Sequence, residues 1–103
     1  MTKNKKAPEL KTYVICYGTP SPRAVLIGQS ATEPVVGQPI TMQDARMVLY
    51  WAPECGGLYG LCANGPRGNS RLTASVPQYA VTPVEWGELT PEAAAAVAAW
   101  VAA

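Results

Sequence analysis

The sequence contains no histidine among its 103 residues, and it contains no phenylalanine. Histidine is the usual general base near neutral pH, and it activates serine and cysteine nucleophiles. Its absence excludes ordinary Ser–His and Cys–His catalytic pairs and removes the commonest protein metal ligand. We therefore expect a protein that is not an enzyme and that holds neither a metal ion nor another cofactor.

Cysteine is scarce as well: Cys16, Cys55 and Cys62 are scattered, without C-x-x-C spacing. An odd, scattered set does not make a disulfide framework or a zinc site, so buried free thiols are expected. Cys62 lies in an apolar segment, where the pKa of the thiol should rise and its reactivity should fall. Two neighbouring acids, Glu85 and Glu88, are expected on an exposed strand, which does not favour paired-carboxylate catalysis.

Charged residues are few and unevenly distributed. Residues 1–11 carry four lysines and one acid, which predicts a flexible basic tail. Residues 12–103 carry four arginines and six acids, so the predicted domain has no basic excess and nucleic-acid binding is not favoured. No signal peptide is expected, and no apolar run approaches the ~18 residues of a membrane-spanning helix. A soluble, intracellular protein is predicted.

Apolar residues are plentiful by comparison, at 49% against 15% charged. Soluble proteins average about 25% charged residues. Apolar surface that one chain leaves uncovered is commonly covered by another copy. We therefore expect a homo-oligomer.

Several segments rich in β-branched and aromatic residues predict strands, separated by proline and glycine turns. The first turn is expected at residues 18–22. Pro83 restricts the last segment to an edge strand or a kinked strand. The predicted strands are residues 12–17, 23–28, 71–75 and 79–89.

Residues 40–51 allow two interpretations. Thr41 with Asp44 three positions later is typical of the start of a helix. The alternation of Ala45, Met47, Leu49 and Trp51 with the residues between them is instead typical of a strand. We favour the strand.

Two helices are predicted. Leucines at helical spacing after Gly56-Gly57 indicate a short helix over residues 58–63, ended by Asn64-Gly65-Pro66. Thr90 is the expected N-cap of a C-terminal helix that continues through the alanine-rich residues 93–103. Its apolar face should dock on the domain, while its alanine face is either surface or a subunit contact.

These elements predict a single α+β domain over residues 12–103. Its sheet should be antiparallel, curved and built from about five strands, with a short middle helix and a docked C-terminal helix.

Residues 36–100 contain a set of short motifs, at Ala45-Arg46, Tyr50-Trp51, Leu58, Leu61, Gly65 and Leu89-Thr90-Pro91-Glu92-Ala93. They form a strand reading A-R-x-x-x-Y-W, a leucine-containing turn ending in glycine, and a late strand leading into a threonine-initiated helix. In this pattern the chain resembles a family of small proteins carried by bacteriophages and prophages. The resemblance implies phage origin and residence in the host cytoplasm. It brings no established activity and therefore no functional residues, and the lysine-rich start and alanine-rich end depart from the pattern.

The candidate ligand site groups around the glycine-rich loop of residues 65–71. Glycine N–H groups can approach an anion, and arginines can fork onto phosphate oxygens. The loop lacks the G-K-[ST] ending of nucleotide hydrolases, and a plain turn is the alternative interpretation. Arg46 alternates with apolar residues and needs a partner or an opening to water, while aromatic rings can stack on a base or belong to the core. The predicted ligand-binding residues are Arg46, Tyr50, Arg67, Ser70, Arg71 and Trp86.

The absence of catalytic groups and the phage resemblance together predict a non-catalytic counter-defence protein. We expect it to sequester an anionic, nucleotide-type host immune signal between its subunits. One alternative is a protein–protein inhibitor of a host defence nuclease or effector, similar to anti-CRISPR proteins, that binds through the C-terminal helix or an open strand edge. A virion accessory or assembly protein that attaches through the basic tail is a further alternative.

Overall fold

A computed structural model describes residues 9–18 and 24–103 of the chain. Within them the order of elements is β1 (Lys11–Tyr17), β2 (Ala24–Ser30), β3 (Ile40–Tyr50), α1 (Gly57–Asn64), β4 (Arg71–Leu72), β5 (Val76–Val81), β6 (Pro83–Glu88) and α2 (Pro91–Ala99). Residues 1–8 of the predicted tail, most of the predicted turn at 18–22 and the first residue of the predicted second strand lie outside the described residues.

The strands form one antiparallel sheet in the order β4-β3-β2-β1-β6, and β5 also pairs with β3. The predicted α+β class, with a short middle helix and a docked C-terminal helix, is confirmed. The sheet has five strands along its main order and a sixth beside β3.

The two edges of the sheet meet at Thr82. β5 ends with Val81 opposite Ile40 of β3, and β6 begins with Pro83 opposite Tyr17 of β1. A single residue therefore separates the strand on one edge from the strand on the other, which curls the sheet strongly. The rings of Tyr17 and Tyr79, on strands that do not pair, consequently lie 6.3 Å apart across the concave side. The segment predicted as one strand over residues 79–89 is two strands, because β5 ends at Val81 and β6 begins at Pro83. β6 is an edge strand, one of the two possibilities expected from Pro83, and the strand predicted over residues 71–75 is only Arg71–Leu72.

Alternating side chains of the curled sheet form two cores. The inner core fills the concave side with Tyr13, Ile15, Leu26, Met42, Ala45 and Val81. The outer core lies between the convex side and the helices, with Val14, Ile27, Val48, Leu72, Leu89, Ala93 and Val97. Because both sides are covered, β1 carries apolar residues at consecutive positions.

The two helices pack closely because small residues face each other. A Cβ added to Gly65, the residue after α1, would lie 2.8 Å from the Ala96 Cβ and 3.0 Å from the Ala93 carbonyl oxygen of α2. Thr90 joins the helix ends: its hydroxyl donates to the Ala63 carbonyl (2.9 Å) and accepts from the Ala93 N–H (3.1 Å). The predicted N-cap is confirmed, and the alanines of α2 allow the approach.

β3 confirms the strand interpretation of residues 40–51, except that the strand ends at Tyr50. The helix alternative was wrong. Asp44, its supposed capping partner, lies in the middle of the strand at a bulge: Ile27 pairs with Arg46 but Gln29 pairs with Gln43. β3 thus contains one extra residue between these pairs, and Asp44 adopts a left-handed conformation with φ 48°.

The C-terminal helix is shorter than predicted, since α2 ends at Ala99 rather than Ala103. Val101 does not share the buried face with Val97 and Trp100 but is 84% exposed. The reason is tertiary: the backbone of Trp100 is extended, and the Ala103 N–H donates to the Leu72 carbonyl of β4 (2.9 Å). The last residues therefore run beside the sheet and cannot continue the helix.

We predict that Gly60→Ala destabilises the protein although alanine is normally the better helix residue. A Cβ at position 60 would overlap the Cys55 carbonyl oxygen. The backbone must shift to relieve this clash, so the free energy of unfolding should fall by about 3 kcal/mol, the upper end for overpacking. Urea unfolding measures it. The control Asn64→Ala, an exposed position of the same helix, should change stability by less than about 0.5 kcal/mol. Equal effects of the two substitutions would contradict the close approach.

Candidate functional site

The candidate site is a groove of about 430 Å³ between α2 and the convex side of the sheet. Polar groups enter it from three strands and from the β4–β5 connection, while α2 supplies an apolar wall. Its lining residues are Thr12, Ile27, Gly28, Gln29, Asp44, Arg46, Ala74, Ser75, Ala94, Val97, Ala98, Trp100 and Ala102.

The side chain of Arg46 forms hydrogen bonds to backbone carbonyls around the groove. Its Nε donates to the Thr73 carbonyl (2.7 Å), its Nη1 to the Val97 carbonyl and its Nη2 to the Trp100 carbonyl (2.9 Å). The carbonyls of Val97 and Trp100 lie at the end of α2, where a cation is favoured. The Val97 carbonyl also accepts from the Trp100 N–H (3.1 Å). The side chain therefore connects β3, the β4–β5 connection and the end of α2.

The charge of Arg46 is balanced by carbonyl dipoles and not by a carboxylate. The residue is only 7% exposed, and it forms no ion pair within the described part of the chain. Burial lowers the pKa of its guanidinium below the ordinary value. A guanidinium has five N–H donors, and three nitrogens donate one bond each. One further N–H remains on each terminal nitrogen.

Asp44 contributes the opposite charge to the same groove. It lies at the bulge in β3, two residues before Arg46, and its side chain is exposed. Its carboxylate makes no hydrogen bond or ion pair with the other described residues. A positive φ is uncommon for residues other than glycine, and bulges often redirect a side chain beside a functional site. Asp44 is therefore a polar group presented to the groove without a partner.

Trp100 closes the end of the groove. Its indole Nε1 donates to the Ser70 carbonyl (3.0 Å), and its own carbonyl accepts from Arg46. These two bonds hold the half-buried ring beside the groove. Trp100 therefore lines the same groove as Arg46 and Asp44.

The other predicted site residues do not join Arg46 in this groove. Ser70, expected in an exposed loop, is buried (5% exposed), and its hydroxyl accepts from the Ala52 N–H (2.9 Å) and donates to the Arg67 carbonyl (2.6 Å). It stabilises the loop and presents no hydroxyl to solvent. Arg67 and Arg71 are exposed, and Arg71 pairs with the exposed Tyr50 at the β3–β4 edge.

Trp86 lies on a different side of the sheet. Its ring packs edge-on against Tyr13, with 5.6 Å between centroids, on the inner core. Arg46 points to the helices on the convex side. One protomer therefore does not combine Trp86 with Arg46 in a single site.

The thiols lie away from the groove. Cys16 and Cys62 line a smaller cavity of about 180 Å³ between β1, β6 and α1. Burial raises the pKa of both thiols, and Glu85 raises that of Cys16 further. This agrees with the direction expected for Cys62. All three cysteines are free thiols.

Four polar lining residues were missed by the sequence prediction: Thr12, Gln29, Asp44 and Ser75. Of these four residues, only Asp44 could have been recognised from the sequence pattern. Met42 and Ala45 both belong to the inner core although they are three residues apart, which breaks the alternation of a regular strand. An acid in an apolar strand at the position of such a break indicates a bulge.

These features define a small α+β domain with a ligand-sized groove formed within one chain. The chain belongs to a family described as a domain of unknown function, DUF6948, whose model matches residues 12–100. The match includes every strand, at least in part, and both helices. No curated protein and no solved structure matches the chain. Neither described helix is long and apolar enough to cross a membrane.

We predict that Arg46→Lys destabilises the protein strongly. An ammonium group cannot reach three carbonyls arranged around a planar guanidinium, so at least one buried carbonyl loses its donor. The free energy of unfolding should fall by about 3 kcal/mol, since bonds to charged groups contribute about 1.5–3 kcal/mol each. Urea unfolding measures the change. Arg71→Lys, the same exchange at an exposed position, should stay within about 0.5 kcal/mol of the parent. If both variants are equally stable, Arg46 does not connect the three segments.

We also predict that stability falls in alkaline solution. The pKa values of Cys16, Cys62 and Tyr13 are raised in the folded protein, mainly by burial, from ordinary values of 9.0 for the thiols and 10.0 for the phenol. The folded state therefore binds protons more tightly than the unfolded state. The stability that these protonated groups give to the folded state is fully present below pH 9. It is lost as the pH rises through the pKa values of the folded protein.

Urea unfolding measured between pH 7 and pH 11 tests this prediction. The variant with Cys16→Ala and Cys62→Ala should lose less stability between neutral and alkaline pH than the parent does. An identical pH dependence of parent and variant would show that the two thiols do not contribute.

Proposed function

We propose that the protein is a non-catalytic binding protein that holds a small anionic molecule of nucleotide type in the groove between α2 and the sheet. The observation that carries this proposal is the buried guanidinium of Arg46, which lines the groove without an acidic partner in the described part of the chain. A buried charge balanced only by dipoles attracts an anion that can use its remaining donors.

The size of the groove supports a small molecule. Its volume of about 430 Å³ lies within the roughly 300–1,000 Å³ of typical ligand sites. Apolar residues of α2 and the indole of Trp100 offer a surface for a flat ring, and a few polar groups converge on it. This combination of apolar walls with few polar anchors is typical of ligand sites.

The biological role that we propose follows from the resemblance to phage proteins. A phage protein without catalytic groups can remove a host immune signal by binding it, provided that it is abundant and binds tightly. Under this proposal the protein acts in the host cytoplasm as a counter-defence protein.

The site in this proposal differs from the one expected from the sequence. The groove is formed by residues of one chain, so ligand binding does not require a second subunit. Self-association stays a prediction, as do roles for Arg67, Arg71 and Tyr50 in contacting a ligand that extends beyond the groove.

We predict that Ala98→Glu abolishes or strongly weakens ligand binding. Ala98 is exposed on α2 and lines the groove, so a carboxylate there occupies space and repels an anion. Isothermal titration with mononucleotides, cyclic nucleotides and ADP-ribose derivatives should detect binding to the parent, and the variant should bind at least tenfold more weakly, about 1.4 kcal/mol.

The matched control is Ala99→Glu. Ala99 is exposed in the same turn of α2 but does not line the groove. Both variants place an acid near the end of the helix and share the same unfavourable interaction with its dipole. The control should bind like the parent. Absence of heat with every compound would reject the proposal, and equal weakening by both variants would remove the groove from it.

A second candidate, the protein–protein inhibitor, is favoured by the edge of β5. Five of the six residues of β5 are exposed, including Val76 and Tyr79, and none is charged. An uncharged exposed edge can pair with a strand of another protein. This inhibitor would keep its activity in Ala98→Glu, which distinguishes it from a nucleotide-binding protein.

A further inference from the structure

The groove contains two groups of opposite charge that do not neutralise each other. Arg46 and Asp44 both line it, yet they form no ion pair. The three bonds of Arg46 to backbone carbonyls hold its guanidinium at the end of α2. The groove therefore suits a molecule with an anionic end and a separate end that offers hydrogen-bond donors.

We infer that this molecule is a guanine nucleotide, with its phosphate at Arg46 and its base at Asp44. The inference rests on the proposed function and names the class of ligand for the same groove. Asp44 would be the residue that determines specificity for the base.

Asp44 is suited to this role by its position and by its lack of partners. The bulge in β3 fixes its backbone at φ 48°, a conformation that glycine adopts more easily. The carboxylate has no hydrogen bond or ion pair with the other described residues, so it does not stabilise the bulge itself. An acid at this position is consequently free to accept hydrogen bonds from a ligand.

The chemistry of the bases selects guanine. An ionised carboxylate only accepts hydrogen bonds, and its two oxygens bind best to two parallel donors. Guanine offers two adjacent donors, N1–H and the N2 amino group, on one edge. Adenine and cytosine each offer one amino group beside an acceptor, which would face a carboxylate oxygen, and uracil offers one N–H between two carbonyls. A site built for paired donors rejects ligands that lack them.

The phosphate end follows from the remaining donors of Arg46. One N–H on each terminal nitrogen is left after the carbonyl bonds, and phosphate oxygens accept from such a pair. The half-buried indole of Trp100, held by its bond to the Ser70 carbonyl, lines the same groove and would provide a surface for the base plane.

The test is isothermal titration of the full chain with GMP, AMP, CMP and UMP, for the parent and for Asp44→Asn. Asparagine tolerates a positive φ as well as aspartate does, so the variant should fold, which its thermal unfolding checks. The parent should bind GMP at least tenfold more tightly than the other three. In Asp44→Asn the affinity for GMP should fall at least tenfold, while that for AMP should change less than about threefold. Glu33→Gln makes the same charge change on an exposed loop outside the groove and should bind like the parent.

The outcomes separate this inference from the proposed function. Equal binding of all four nucleotides, or an unchanged preference in Asp44→Asn, overturns the role of Asp44 and leaves a general nucleotide site. A preference for GMP that Glu33→Gln weakens equally overturns it too, because net charge would explain the effect. Absence of binding by any nucleotide rejects both the inference and the proposed function.

Discussion

The side chain of Arg46 is the contact on which the rest of the structure depends. Its guanidinium donates to carbonyls of Thr73, Val97 and Trp100 and so joins the sheet, the β4–β5 connection and the end of α2. An alanine-rich helix of nine residues is not stable by itself. Docking of Ala93 and Val97 on the outer core supplies apolar contact, and Arg46 donates to two carbonyls at the end of the helix, where a cation is favoured.

The bulge at Asp44 is the reason that Arg46 can make this contact. In a regular strand Met42 and Arg46 would face the same side, which would direct the guanidinium into the inner core. The extra residue at the bulge reverses the alternation, so that Ala45 enters the inner core and Arg46 points to the helices. The same distortion leaves Asp44 at the groove. One local irregularity therefore determines both the packing of α2 and the polar character of the groove.

The groove has walls of regular secondary structure and contains a polar side chain, Asp44, without a hydrogen-bond partner among the described residues. Most of its lining residues lie on strands and on α2, and elements of this kind hold side chains more accurately than loops do. Arg46 and Trp100 are each held by bonds to backbone carbonyls, whereas Asp44 has no partner among the described residues. The groove thus holds a buried cation whose partners are backbone carbonyls and an exposed acid without a partner among the described residues.

Local patterns in the sequence determined the class of fold, most strands and the start of both helices. β-Branched and aromatic residues identified β1, alternation identified β3, Thr90 with Pro91 identified the start of α2, and Pro83 identified an edge strand, because each effect acts within a few residues. The end of α2, the burial of Ser70 and the approach of the two sheet edges at Thr82 were decided only by tertiary contacts between residues far apart in the chain. Arg46 was recognised as unusual, but its partners lie 27, 51 and 54 positions away. The groove depends on that long-range contact, and no local pattern contains it.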